Sequence, residues 1–370
     1  MKYYIISGEA SGDLHGSNLI KQLKQLDTDA NIRCWGGDMM QAAGATLMKH
    51  YKELAFMGFA EVVKNLPTIL KNISFCKEDI KAFSPDILVL IDYPGFNLRI
   101  ADWGKQQGYK IVYYISPQVW AWKANRVKKM KLCIDKMLVI LPFEKDYFKN
   151  TWNWDVEYVG HPLVEVVDNY IKKNSLNTSN NSSPIVALLP GSRKQEIEKK
   201  LPVMLAVSKS FPKYQFVVAK APGQDDSFYE PFLSPYKNVS AVSNDTYGLL
   251  MKAKVALVTS GTATLETALF AVPEVVCYKG SNISYQIGKR LIKIKFISLV
   301  NLIMDKLVVK ELIQNEMTTE NLVKELSVLL SDSTKQQQLK TDYAALKSLL
   351  SEKENASAKA ARSIYEFVQQ

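Results

Sequence analysis

Lys254–Ala271, KVALVTSGTATLETALFA, carries the clearest signature of the architecture in the chain. It opens as a short apolar run, Val255 to Val258, and breaks at Thr259-Ser260-Gly261-Thr262. Apolar residues then return at helical spacing, at Leu265, Ala268 and Leu269. A buried strand, a tight turn of small residues and a helix start form an anion site, because free backbone N–H groups and the helix dipole meet above the turn. Ser260, Thr262 and Thr264 bring hydroxyls, and Gly261 lets a phosphate approach the backbone. Glu266 follows in the first helical turns, where a carboxylate can accept hydrogen bonds from a ribose diol. The competing reading is an ordinary βα turn with a capping Ser or Thr.

The plan recurs upstream. Ile185–Leu189 is an apolar strand that runs into Pro190-Gly191-Ser192-Arg193 and then a helix containing Glu196 and Ile197. Arginine suits a diphosphate through bidentate charge-assisted bonds. A P-loop is excluded, since the G-x-x-x-x-G-K-[ST] spacing is absent. Residues 214–219, 239–242 and 275–278 supply further strands, so the second half reads as a parallel sheet with two anion-binding turns. Residues 279–295 read as a basic helix, 298–302 as a loop holding Asn301, and the chain from Thr319 onward as helical.

The first half begins the same way, with a strand at Tyr3–Ile6, the turn Gly8-Glu9-Ala10-Ser11-Gly12-Asp13 and a helix from Leu14 to Leu26. Glu9, Ser11, Gly12, Asp13 and His15 crowd the carboxyl end of a strand, where α/β proteins bind ligands, the alternative being a turn whose polar groups satisfy one another. Residues 86–92, DILVLID, form another buried strand ending in Asp92, a candidate general base with a structural acid as the alternative. Asp27-Thr28-Asp29 matches D-x-D, but it follows a helix at the wrong end of a sheet and reads as a solvated turn. Further strands are expected at 110–115, 136–141 and 156–159. Trp120 and Trp122 stand beside Lys123, Arg126, Lys128, Lys129 and Lys131, a mixture that suits a membrane interface or a phosphate-bearing ligand.

Residues 54–75 mix Met57, Phe59, Val62, Val63, Leu66, Ile69 and Leu70 with lysines at helical spacing, and Pro67 is expected to kink or break the helix. One reading is a core helix; the other is an amphipathic contact with membrane or acyl chains. Residues 168–184 are polar and patternless and read as a linker. Domains are therefore expected at 1–167 and 184–340, with a terminal helix at 341–370 that can pack back on the first.

A length of 370 residues, 47% of them hydrophobic, fits two domains with full cores. The formal net charge of +10 favours an anionic partner. Nucleic acid is not expected, because no stacking-aromatic module is present. Cys34, Cys76, Cys133 and Cys277 form no C-x-x-C and read as free thiols of a reducing compartment. The residues MKYYIISGEA run straight into a strand, so no signal peptide is expected, and no apolar run is long enough to span a bilayer. No metal and no cofactor is expected.

Taken together, GEASGDLHG, IDYPGFN, SPQVWAWK, LPFE, VGHPL, LLPGSR, SGTATLE and SLVNLI resemble the lipid-A-disaccharide synthase family, in order along nearly the whole chain. The resemblance implies an α/β protein of two doubly wound, Rossmann-like domains with an intervening cleft, the GT-B type. It implies an inverting, metal-independent glycosyltransferase peripheral to the cytoplasmic face of the inner membrane, either monomer or homodimer. The implied reaction joins UDP-2,3-diacylglucosamine to 2,3-diacylglucosamine 1-phosphate, giving a β-1,6-linked disaccharide and UDP. The donor set is then Gly191, Ser192, Arg193, Ser260, Gly261, Thr262, Ala263, Thr264, Glu266 and Asn301, and Asp92 is the base. Val300 stands where the family usually has proline, which leaves the Asn301 loop less rigid. Two alternatives follow from the same features: a UDP-sugar 2-epimerase, which shares the architecture and a UDP site, and a lipid-binding protein with no UDP affinity.

Overall fold

A computed structural model describes residues 1–54, 66–175, 183–281, 285 and 294–370. The chain divides into two compact units, Met1–Pro162 together with Leu350–Gln370, and Leu163–Leu349. The first unit holds β1 (Lys2–Ser7), β2 (Asn31–Gly36), β3 (Thr46–His50), β4 (Ile87–Ile91), β5 (Lys110–Tyr114), β6 (Lys136–Val139) and β7 (Glu157–Tyr158). They form a parallel sheet in the order β3-β2-β1-β4-β5-β6-β7. The strand order reverses between β1 and β4, and their register sets Ser7 opposite Ile91.

Continuous apolar strands need cover on both faces. Tyr4, Ile6, Leu88, Leu90, Ile111 and Tyr113 enter one core, closed by Ile73, Cys76 and Ile80 of helix Leu66–Phe83 and by Phe96 and Ile100 of helix Pro94–Gln106. Their neighbours Tyr3, Ile5, Ile87, Val89, Val112 and Tyr114 enter another. Leu19, Ile20 and Leu23 of helix Ala10–Leu26 and Ala360, Ala361 and Ile364 of the last helix, Ala356–Gln369, close that second core. The period of two along each strand thus divides its side chains between two helical layers.

The second unit repeats the frame. Its strands are β8 (Ile185–Leu189), β9 (Gln215–Lys220), β10 (Val239–Ser243), β11 (Ala253–Thr259), β12 (Glu274–Tyr278) and β13 (Lys310–Ile313), in the parallel order β10-β9-β8-β11-β12-β13. The reversal falls between β8 and β11, with Leu189 opposite Val258. Ala187, Leu189, Val217, Ala256 and Val258 share a core with Leu249 and Leu250. Both units are therefore doubly wound α/β folds.

Several local expectations change. β2, β3 and β13 were not legible in the sequence, because NIRCWG, TLMKH and KELI carry polar residues and lie in or next to the sheet edges. Residues 168–174, expected within a linker, belong to helix Pro162–Asn174, and the second unit begins at Leu163. The expected loop at 298–302 is largely helical, Leu299–Met304, capped by the Ser298 side chain. Pro67 is the second residue of helix Leu66–Phe83 and starts the helix instead of kinking it, since a first-turn N–H has no helical partner to lose. Of the lipid-contact set, Met57, Phe59, Val62 and Val63 lie outside the described residues, as does most of the expected basic helix at 279–295. Leu66 opens the described helix, Ile69 packs half-buried on the core, and Leu70 is 54% exposed. Among the described residues no helix is long and apolar enough to cross a membrane.

Candidate active site

In an open parallel sheet, ligands bind beyond the carboxyl ends of the strands where the order reverses. In the first unit that places the turns after β1 and β4 side by side. They pack so closely that a Cβ on Gly8 would lie 2.4 Å from the Tyr93 ring. Glu9 and Ser11 are exposed on the first turn. Gly12 lies inside, where a Cβ would meet the Ser7 hydroxyl at 2.4 Å. Asp13 is 3% exposed, and its carboxylate accepts from the N–H groups of Gly37, Met39 and Met40 at 2.8, 3.2 and 3.0 Å. It fastens the start of helix Asp38–Ala42. His15 is 8% exposed, and burial lowers its pKa to about 4, so the ring is neutral at pH 7. Of the expected acceptor residues, Glu9 and Ser11 face outward, whereas Gly12, Asp13 and His15 are part of the interior.

Asp92 and Tyr93 stand in consecutive left-handed conformations, φ 43° and 48°, where non-glycine residues are strained. The strain is held by the backbone: Asp92 N–H donates to Tyr114 O at 3.1 Å, and Asp92 O accepts from Asn97 Nδ2 at 2.8 Å and from the Tyr113 hydroxyl. Asn97 is fully buried and ties the same turn to Ile91 O at 3.1 Å. The main chain is thus fixed chiefly by other groups, and the half-buried Asp92 carboxylate bonds the adjacent Tyr93 N–H. Burial, then the charge of Glu9, raises its pKa to about 6, against the Tyr93 N–H. A carboxylate near pH 6 is ionised at neutrality and still basic enough to take a proton.

In the second unit the turns after β8 and β11 lie side by side. Gly191 has φ 118°, and Arg193 caps helix Lys194–Ala206 with its side chain 68% exposed and 3.5 Å from Glu196. Ser192 is exposed. Gly261, φ 144°, caps helix Thr262–Leu269 and has open space where a Cβ would stand. The first N–H groups of that helix have no helical partner and face the strand end. Thr262 is exposed and Ala263 half-buried. Some expected ligand groups are already engaged: the Ser260 hydroxyl donates to Ile297 O at 2.7 Å, and the Thr264 hydroxyl to Gly261 O at 2.8 Å. Glu266 accepts from the Tyr247 hydroxyl at 2.7 Å, and burial raises its pKa.

Asn301 differs from the expectation most. It is fully buried; Nδ2 donates to Val309 O and Glu311 Oε1, both at 2.8 Å, and Oδ1 accepts from Val308 and Val309 N–H at 2.8 and 2.9 Å. An amide with both donors and both acceptor positions filled shapes a loop and has none left for a ligand. Fully buried Val300 packs beside it.

Two groups escaped the sequence reading. Lys200 is 3% exposed; its ammonium bonds the Thr259 hydroxyl, lies 3.7 Å from Glu196 Oε2, and would be 3.4 Å from a Cβ on Gly191. It joins the two turns from beneath. On paper Glu196 and Lys200 are an ordinary surface i,i+4 pair, and only the seating of the helix against β11 reveals the burial. Glu144, in the LPFE motif, is 1% exposed and accepts from Leu141 N–H at 3.0 Å, and burial pushes its carboxyl up to about 8.

The comparisons with known proteins agree along the whole chain. A family model described as lipid-A-disaccharide synthetase matches residues 3–365. A lipid-A-disaccharide synthase of Coxiella burnetii is 36% identical over 371 residues, 98% of each chain. One of Geobacter metallireducens is 37% identical over 354 residues, covering 94% of this chain and 92% of the relative. Among solved structures, the UDP-GlcNAc 2-epimerase of Neisseria meningitidis bound to UDP-GlcNAc superposes with TM-score 0.69 at 13% identity, covering 100% of both chains. The glycotransferase of kitacinnamycin gives TM-score 0.69 at 11% identity, covering 99% of both. At such identities the structural likeness speaks for the shared fold of two Rossmann-like domains, while the sequence matches speak for the family. The chain belongs to the lipid-A-disaccharide synthase family.

Proposed function

We propose that this protein joins UDP-2,3-diacylglucosamine to 2,3-diacylglucosamine 1-phosphate, forming a β-1,6-linked disaccharide 1-phosphate and UDP. One observation carries the reading: in a chain matched end to end by this family, one switch point bears a carboxylate raised to about 6 and the other a phosphate-type turn pair. In the reaction Asp92 takes the proton of the acceptor hydroxyl as its oxygen bonds to the donor's anomeric carbon. The bond from that carbon to the β-phosphate oxygen breaks, its electron pair leaves with UDP, and attack from the opposite face inverts the centre. Arg193 and the N–H groups at the start of helix Thr262–Leu269 meet the charge that builds on the diphosphate. Their charge stands in for a divalent cation, so turnover is expected to withstand a chelator.

Incubation with both acylated substrates tests this: UDP release should match formation of a disaccharide by mass. Conversion of UDP-N-acetylglucosamine to its 2-epimer, with no disaccharide formed, would favour the epimerase reading. The protein is further proposed to sit peripherally on the membrane through residues 54–75, where Leu70 is 54% and Phe75 44% exposed. Serine at Val62, Val63, Leu66, Ile69 and Leu70 should lower vesicle binding without loss of fold; unfolding instead would make the segment core.

A further inference from the structure

Beside the Asp92 turn lies a pocket of 320 Å³ that the proposed mechanism leaves unused. Pro94, Gly95, Arg99, Asn125, Arg126 and Lys129 line it, so its charged groups are all cationic. Arg99 belongs to helix Pro94–Gln106, and Arg126 and Lys129 to helix Arg126–Cys133. Lys129 is paired with Asp102 at 2.8 Å, but neither guanidinium has an ion pair among the described residues. The Asn125 side chain caps no N–H of the helix it precedes. Two unpaired guanidiniums and a free amide on one concave wall match the oxygens of a phosphate monoester. The wall opens at the first turn of helix Pro94–Gln106, whose dipole also favours an anion.

Its position gives the pocket a purpose. Pro94 is two residues from Asp92, so their Cα atoms are at most about 7.6 Å apart. Arg126 is also within electrostatic reach of that turn. Burial and Asp92 hold the Tyr113 hydroxyl well above its ordinary range, Arg126 pulls it the other way, and Tyr113 donates to Asp92 O. We propose that this pocket seats the phosphate monoester of the acceptor sugar, one sugar ring away from the hydroxyl that Asp92 deprotonates. The inference rests on the reaction proposed above and names the group by which the enzyme selects its acceptor. Arg126 also lies 5.6 Å from the ring centre of Trp122, which is 48% exposed and has Lys123 Nζ at 4.3 Å.

The test pairs R99Q/R126Q with an acceptor from which the phosphate has been removed. Loss of charge-assisted bonds should raise the KM of the variant for the phosphorylated acceptor about 10–100-fold. The KM for the dephosphorylated acceptor should be the same in variant and wild type, and UDP affinity and melting temperature should not change. R99K/R126K should recover part of the loss. Titration with glucosamine 1-phosphate reads the pocket without turnover: wild type should bind it, R99Q/R126Q should not, and glucosamine should bind neither. That result would sustain a phosphate site even if wild type made no disaccharide, in which case the reaction reading alone fails. Equal KM increases for both acceptors, or unchanged binding of glucosamine 1-phosphate, would overturn the inference. So would a selective loss of binding to phosphatidylglycerol vesicles with acceptor KM unchanged, which would assign the cations to the membrane.

Discussion

At the end of β4 the chain sets Asp92 and Tyr93 in successive left-handed conformations, whereas at the end of β11, the corresponding strand of the second unit, only Gly261 of the Ser260-Gly261 turn has a positive φ. Both strands stand at the reversal of a sheet with the same order, and both are followed at once by a helix. The difference lies in what the turn exposes. In the first unit a non-glycine backbone is forced into a strained shape, and a half-buried carboxylate remains beside Glu9. In the second a glycine takes the positive φ without strain, and the bare start of the helix remains. One frame therefore presents a carboxylate in one place and a bare helix start in the other, depending on whether the turn residue has a side chain, and the proposed function assigns the first to the proton and the second to the diphosphate.

The sharpest way to break this comparison is Asp92→Asn. If the first turn supplies the base and the second the anion site, turnover should fall ~10²–10⁴-fold while UDP affinity stays at the wild-type value. Wild-type turnover would exclude Asp92 as the base. Next comes Arg193→Ala, expected to cost about 10–100-fold in kcat/KM through loss of a charge-assisted partner for the diphosphate. Its 68% exposed side chain keeps the effect below that of a buried oxyanion donor. Unchanged kcat/KM would remove it from the donor site.

Asn301→Ala probes support within the second unit. It should cost about 1–3 kcal/mol in denaturant unfolding, since Val308 and Val309 N–H lose their acceptor. UDP affinity per folded molecule should hold; a selective loss of affinity would return Asn301 to the ligand. The smallest effect is electrostatic. A base at Asp92, as proposed, would act only when ionised, so turnover should fall as pH drops through about 6. Glu9 raises that carboxyl, so Glu9→Gln should move the acid limb of the pH–rate profile to lower pH, and an unmoved limb would uncouple the two turns.

Local sequence encodes the strand–turn–helix units and the residues at their turns. A run such as ILVLI followed by an acid and Pro-Gly, or VALV followed by Ser-Gly-Thr, states its local structure through burial and through backbone preferences that act between near neighbours. It thereby singled out Asp92, Arg193 and the Ser260 turn. Only the tertiary structure decided that β1 lies against β4 and β8 against β11, because ladder hydrogen bonds join segments far apart in the chain and no local pattern encodes the pairing. The same non-local packing sorted the polar residues. It committed Asp13 to three backbone N–H groups, saturated Asn301 with four bonds, and buried Lys200 beneath the turns after β8 and β11. A polar side chain's type shows what bonds it can make, but which partners reach it first is settled by the folded chain, where a buried polar group left unpaired is costly.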